Sequence, residues 1–132
     1  VFSTWASPPK TEGFQLILNA VTDAGNPNVP LPEGPPFFRF SDEDEVRRSM
    51  ESAGFVDVAF TTVCDMKWNN LRDAEHLYQI FLEGTARTRE LLRGQTAEET
   101  KAIKKELDRK WKQRNTDVPL RMPAIVASGR KP

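Results

Sequence analysis

A helix that ends at a glycine and leads directly into a strand is predicted between residues 41 and 63, and no other segment constrains the fold as much. Ser41 is a favourable N-cap residue, and Asp44 stands where the acid of a capping box occurs. Gly54 supplies the left-handed residue that commonly closes a helix, and the apolar Phe55 follows it. Such helix–glycine–strand units occur in many α/β proteins.

Apolar spacing gives both elements a face that packs against other parts of the protein. The helix has a narrow stripe at helical spacing, formed by Val46, Met50 and Ala53. The strand alternates between two faces from residue 56 to residue 60, and Val56, Val58 and Phe60 share the more apolar one.

Two further strands and one helix are predicted near the ends of the chain. Residues 1–5 are β-prone and are interpreted as the end of a strand. A helix that Gly25 closes has its apolar face at i, i+3, i+4 and i+7, in Phe14, Ile17, Leu18 and Val21. Residues 120–129 predict a last strand that is interrupted or started at Pro123. The chain is therefore expected to be an α/β domain, mostly helical, with about three strands.

A proline-rich loop is predicted at residues 26–40. Residues 26–37 hold five prolines and one glycine, and proline blocks helix and cannot donate to a ladder. The loop leads into Phe37 and Phe38 and is apolar for a linker. Two interpretations stand: a loop packed on its own domain, or a loop whose Pro and Phe side chains wall a substrate pocket.

Residues 67–116 predict a helical block. A wide apolar face runs through Tyr78 and Phe81 until Gly84, which either kinks one helix or separates two. A second capping box, Thr96 to Glu99, opens a charged helix. Its narrow apolar stripe consists of Ile103, Leu107 and Trp111.

Composition excludes several classes of function. Nineteen basic and nineteen acidic residues balance, so no general attraction to nucleic acid or to an anionic membrane is expected. One cysteine, Cys64, excludes an intramolecular disulfide and favours a reducing compartment, the cytoplasm. His76 is the only histidine, so no histidine-rich metal site is expected. The chain has no glycine-rich phosphate-binding motif and no apolar run long enough to cross a membrane.

The order of these pieces resembles the late part of class I S-adenosylmethionine-dependent methyltransferases of the small-molecule type. The helix that ends in Ala53, Gly54 and Phe55 is similar to the family's "L-x-x-A-G-F-x-x-V". Residues 1–5 are similar to "v-f-T-x-W" at the end of its fifth strand, and residues 122–131 to the ending "i-P-x-x-x-v-x-a-x-K". The resemblance implies the C-terminal half of a seven-stranded, Rossmann-like sheet, with its last strand antiparallel between the fifth and sixth, and a helical insertion at 67–116 that caps the active site.

The resemblance also implies that this chain and the rest of a longer enzyme bind different molecules. This chain, a single-domain fragment, is expected to line the site for a small-molecule methyl acceptor, with Trp5, Phe37, Phe38, Trp68 and Tyr78 as substrate-binding residues. The family's S-adenosylmethionine-binding elements belong to the missing N-terminal half. The fragment alone is therefore expected to bind no cofactor and to be inactive, and no catalytic base or metal ligand is assigned.

Two expectations concern partners. Half of a sheet leaves an unpaired edge, and a homodimer through that edge is expected to cover it. The alternative function is a non-catalytic helical module for protein interaction or dimerisation, built from residues 71–92 and 97–114. The coding sequence upstream of Val1 distinguishes the two, since a strand and a glycine-rich turn about a hundred residues upstream indicate the enzyme.

Overall fold

The computed structural model describes residues 1–132 and shows an α/β fold with five α-helices, five strands and one 3-10 helix at Arg39–Ser41. The helices are α1 Glu12–Ala24, α2 Glu43–Ser52, α3 Ala74–Gly84, α4 Arg87–Arg93 and α5 Ala97–Gln113. The strands are β1 Phe2–Trp5, β2 Val56–Val63, β3 Lys67–Trp68, β4 Leu120–Arg121 and β5 Ala124–Arg130. None of the helices has the length and apolar character that crossing a bilayer requires.

The main sheet has three strands in the order β1-β5-β2. The central strand β5 is antiparallel to both neighbours, so β1 and β2 run parallel to each other. Trp5, the last residue of β1, and Val63, the last residue of β2, both pair with Ala124. The carboxyl ends of β1 and β2 therefore lie at the same end of the sheet, on either side of Ala124.

A second, two-stranded sheet was not predicted. β3 pairs with β4 in antiparallel register, with Lys67 opposite Arg121 and Trp68 opposite Leu120. Pro123 separates β4 from β5, which confirms the predicted interruption. These extra strands have only two residues each, too few for period-two alternation to reveal them.

The start of α2 lies one residue later than predicted. Asp42, not Ser41, is the N-cap, and its Oδ1 accepts from the backbone N–H groups of Asp44 at 2.9 Å and Glu45 at 3.2 Å. Ser41 instead ends the 3-10 helix, where its hydroxyl donates to the carbonyl oxygen of Phe38 at 2.7 Å. Two adjacent good capping residues compete here, and the preceding turn decides between them.

The end of α2 confirms the predicted glycine cap. Gly54 has φ of 85° and donates its N–H to the carbonyl oxygen of Glu51 at 2.9 Å, while Phe55 donates to Met50 at 3.0 Å. This pair of bonds is the Schellman motif. The apolar stripe of the helix is shorter than predicted, because Ala53 is exposed while Val46 and Met50 are buried.

The strand that follows is irregular near its start. A bulge separates Val56 from Ala59 in the register with β5, and Asp57 adopts φ of 55° there. Val58 and Phe60 still pack on the small cluster of Val46, Met50 and Ala127, but Val56, before the bulge, is 37% exposed, so only part of the predicted apolar face is formed.

The helical block confirms several local predictions. Gly84 ends α3, and α4 begins three residues later, so the glycine separates two helices. Thr96 and Glu99 form the predicted capping box at the start of α5. The predicted stripe of Ile103, Leu107 and Trp111 is buried in the main core with Phe14, Ile17 and Val21 of α1. Lys110 on α5 also pairs with Asp23 on α1 at 2.6 Å.

One ion pair on α5 predicts a pH dependence of stability. Glu106 accepts hydrogen bonds from Arg109 at 2.5 and 2.8 Å and lies 3.3 Å from Lys110 Nζ. These cations, Arg109 foremost, lower the pKa of Glu106 from 4.5 to about 2. The Glu106 carboxyl binds its proton less tightly in the folded state than in the unfolded chain. The ion pair of Glu106 therefore stabilises the fold above pH 4.5, and this stabilisation is lost as the pH falls towards 2.

The test is the Glu106→Gln variant, followed by urea unfolding at a series of pH values. We expect its stability to fall less steeply than that of the parent chain over the acid range. Glu51→Gln is the matched control, because Glu51 is exposed near the end of α2 and forms no ion pair. Identical profiles for the two variants contradict the assignment.

Candidate functional site

Six aromatic side chains form a continuous row from the end of β1 to the end of the proline-rich loop. Successive ring centroids are 6.2 Å apart for Trp5–Trp68, 5.8 Å for Trp68–Phe81, 4.9 Å for Phe81–Phe14, 5.2 Å for Phe14–Phe38 and 4.7 Å for Phe38–Phe37. We call this set the aromatic row. Most contacts are edge-to-face, the geometry that aromatic pairs favour.

Four of the five predicted substrate-binding residues belong to the aromatic row: Trp5, Trp68, Phe38 and Phe37. Tyr78 lies elsewhere. It is 3% exposed, and Lys104 Nζ of α5 sits 4.7 Å from the centre of its ring. Burial raises the pKa of its hydroxyl, so Tyr78 is neutral at pH 7. Its surroundings make it part of the α3–α5 interface.

The middle of the aromatic row is formed by Phe14 of α1 and Phe81 of α3, which were not predicted as site residues. Both are buried, at 2% and 0% exposure. Helical spacing had assigned each to an apolar face. Only the packing of α1 against α3 shows that these two faces meet and bring the tryptophans and the loop phenylalanines together.

Trp68 is held firmly at its place in the row. It follows Lys67 in the short β3–β4 ladder, and its ring lies directly against the backbone of α1 at Gly13. A Cβ atom at Gly13 would lie 3.2 Å from Trp68 Cζ3 and 3.0 Å from Met122 Sδ. Glycine therefore allows the indole to approach the backbone of α1 closely.

The proline-rich loop is tied to the helical block. Residues 26–38 contain no helix or strand. Gln95 accepts from the N–H of Asn26 and donates to its carbonyl oxygen, both at 2.8 Å, and Val29 packs closely on Gly94. Arg87 also reaches the carbonyl oxygen of Pro32 at 3.4 Å. The loop thus packs on its own domain and at the same time carries Phe37 and Phe38 into the aromatic row.

Two cavities flank the Trp5–Trp68 pair. One has a volume of about 520 Å³ and lies between β3 and the start of α3, with Trp68, His76 and Ile80 in its lining. The other has a volume of about 510 Å³ and lies beside β1 and β5, with Trp5 and Met66 in its lining. Both cavities are wide open to solvent, and their volumes are in the range of small-molecule sites.

One of these cavities lies at the carboxyl end of β1. Trp5, the last residue of β1, and its partner Ala124 line the cavity beside β1 and β5, whereas β3 and the start of α3 line the other cavity.

The shifted carboxylates serve structure rather than chemistry. Hydrogen bonds from Lys104 and Gln79 lower the pKa of Glu75, and Arg48 and Arg39 lower that of Glu45. Neither carboxylate contributes to the aromatic row or the two cavities that flank it. The site shows no paired acid and base, and no cluster of three or more His, Cys, Asp or Glu side chains is arranged to hold a metal ion.

Cys64 and His76 are engaged with different partners. Cys64 is exposed and its Sγ lies 3.8 Å from the carbonyl oxygen of Thr62. His76 Nδ1 accepts from the backbone N–H of Arg72 at 3.4 Å. The two side chains form no nucleophile–base hydrogen bond with each other.

The chain has an α/β fold, and its aromatic row begins at the carboxyl end of β1. Comparison with models of known families finds no match to the chain, and comparison with curated proteins finds none either. Function is therefore inferred from the residues and their geometry.

Proposed function

We propose that the chain is the acceptor-binding, C-terminal part of a longer S-adenosylmethionine-dependent methyltransferase that acts on a small molecule. The strand order supports this proposal. A last strand antiparallel between two mutually parallel strands, β1-β5-β2, is what the methyltransferase resemblance implies for strands five, seven and six. The remaining four strands of a seven-stranded sheet would extend from the free edge of β1.

The observation that carries the proposal is the position of the aromatic row, which begins where β1 and β2 end. Methyl transfer depends mainly on holding the acceptor in line with the methyl group, and rigid aromatic walls provide such alignment. Trp68 and Trp5 are fixed by packing, and the two adjacent cavities have room for a small acceptor. The block 67–116 contributes Trp68 and Phe81 to the row, which is consistent with a cap over the acceptor.

Three glycines of this chain do not fit a cradle for the adenosyl group. A Cβ atom at Gly13, Gly25 or Gly94 would meet the protein's own side chains, so these close approaches are already filled. No strand in the chain is followed by a glycine-rich turn. We therefore assign cofactor binding to the remainder of the enzyme and assign no step of the reaction to a residue of this chain.

The experiment that tests this proposal is to sequence the coding region upstream of Val1 and assay the product of the complete reading frame. We expect a strand followed by a glycine-rich turn about a hundred residues upstream, and transfer of labelled methyl groups to small aromatic molecules. A start codon directly before Val1 contradicts the proposal and favours a helical interaction module.

The free edge of β1 predicts self-association of the isolated chain. Val1 is 89% exposed and Phe2 36% exposed beside unpaired backbone groups, and such an edge pairs readily with another copy. We expect light scattering to show dimers that increase with concentration. Ser3→Lys places a charge on this edge and is expected to shift the equilibrium to monomer.

Ser52→Lys, at the exposed end of α2, is the control with the same change of charge and should leave the dimer intact. A clean monomer at high concentration, or equal effects of the two variants, contradicts edge pairing.

A further inference from the structure

The cavity between β3 and α3 has two chemically distinct walls. Its volume is about 520 Å³. The apolar wall is formed by Trp68, Leu71 and Ile80, and the polar wall includes Lys67, Asn69 and His76. No acidic residue lines it. A ligand that satisfies both walls combines an apolar body with an anionic group.

Lys67 brings a positive charge that the protein does not neutralise. The β3–β4 register places it directly opposite Arg121, and like charges in that position destabilise a strand pair. Arg121 is neutralised by Glu12, with Nη2 and Oε1 3.0 Å apart. Lys67 is exposed and forms no ion pair within the chain. The Lys67 ammonium group is therefore free to pair with an anionic ligand.

His76 adds a hydrogen-bond donor to the same wall. Because the backbone N–H of Arg72 donates to Nδ1, the neutral imidazole carries its proton on Nε2. Asp73, on the same turn, does not compete for this donor through a side-chain contact. Its carboxylate accepts from the backbone N–H of His76 at 2.7 Å and caps α3. The polar wall therefore offers an ammonium group and an N–H to an oxygen anion.

We propose that this cavity binds a small aromatic carboxylate. The ring lies against Trp68, and the carboxylate accepts from Lys67 and from His76 Nε2. Trp68 needs no rearrangement, because Phe81 at 5.8 Å, Trp5 at 6.2 Å and Gly13 already fix its indole. The identification of this ligand as the methyl acceptor rests on the proposed function, whereas its binding does not.

Calorimetry on the 132-residue chain with naphthoate and with naphthylmethanol tests the charge requirement. The two probes share the ring system and differ in the anionic group. We expect naphthoate to bind about tenfold more tightly, since hydrogen bonds to a charged group are stronger than those to a neutral one. We expect Lys67→Met to reduce this preference, because only the hydrogen bond from His76 Nε2 to the carboxylate remains, and to lower the affinity for naphthylmethanol much less than that for naphthoate.

Lys105→Met is the matched control, because Lys105 is exposed on α5, forms no ion pair and lies outside the cavity. It should leave both affinities unchanged. Equal affinities for the two probes, equal effects of the two lysine variants, or no binding of naphthoate at millimolar concentration overturns the proposal. The assay contains no S-adenosylmethionine, so its failure leaves methyl transfer by the longer chain to be judged by its own assay.

Discussion

Replacing Phe81 with alanine is expected to lower the free energy of unfolding by about 3–5 kcal/mol, the usual cost of truncating a buried phenylalanine. Phe81 is fully buried and joins the two halves of the aromatic row, with Phe14 at 4.9 Å and Trp68 at 5.8 Å. The lost side chain leaves a cavity between α1 and α3 that rigid neighbours cannot fill. Urea unfolding followed by tryptophan fluorescence measures the loss.

Phe37→Ala is the control within the same row. Phe37 is at the end of the row and is 45% exposed, so its removal is expected to cost about 1 kcal/mol or less. The ring centroids of Phe37 and Phe14 are 5.4 Å apart, so both variants remove an aromatic contact with Phe14. Equal losses for the two variants contradict the placement of Phe81 at the centre of the row.

Replacing Gly25 with alanine is the second change with a large expected effect. The new Cβ atom would lie 2.8 Å from Ile103 Cγ1 and 2.8 Å from Gln95 Oε1. Ile103 is fully buried and cannot withdraw, so overpacking is expected to cost about 1–3 kcal/mol. The variant is also expected to break the hydrogen bonds between Gln95 and the backbone of Asn26. The start of the proline-rich loop then becomes more mobile.

Hydrogen exchange at the Asn26 amide reports the second part of this effect, because that N–H donates to Gln95 Oε1 at 2.8 Å. We expect faster exchange in Gly25→Ala than in the parent chain. Gly84→Ala is the control, since a Cβ atom there meets nothing within 4 Å, and its stability should change by about 0.5 kcal/mol or less. Unchanged stability and exchange in Gly25→Ala contradict the close packing.

Features set by neighbours along the chain could be predicted from the sequence. The capping box of Thr96 and the left-handed Gly54 depend only on residues within a few positions, and both are confirmed. The N-cap of α2 shows the limit of such signals. Ser41 and Asp42 are both good caps, and the choice of Asp42 depends on the 3-10 turn that engages the Ser41 hydroxyl.

The site could be predicted only in part, because it depends on contacts between distant segments. Trp5, Trp68, Phe37 and Phe38 were predicted, but the residues that connect them, Phe14 and Phe81, lie on helix faces whose pairing no local spacing reveals. The polar wall of the cavity depends on the β3–β4 ladder, which joins residues more than fifty positions apart along the sequence. Tyr78 shares a helix with Phe81, yet it faces Lys104 of α5 instead of the aromatic row.

The most direct test of the central claim is calorimetric titration of S-adenosylmethionine into two proteins: the product of the complete reading frame and the 132-residue chain. Because the proposal assigns the cofactor site to the upstream strands and the acceptor site to this chain, we expect micromolar binding by the longer protein and none by the shorter. Micromolar binding by the 132-residue chain alone, or no binding by the product of the complete reading frame, contradicts the proposal.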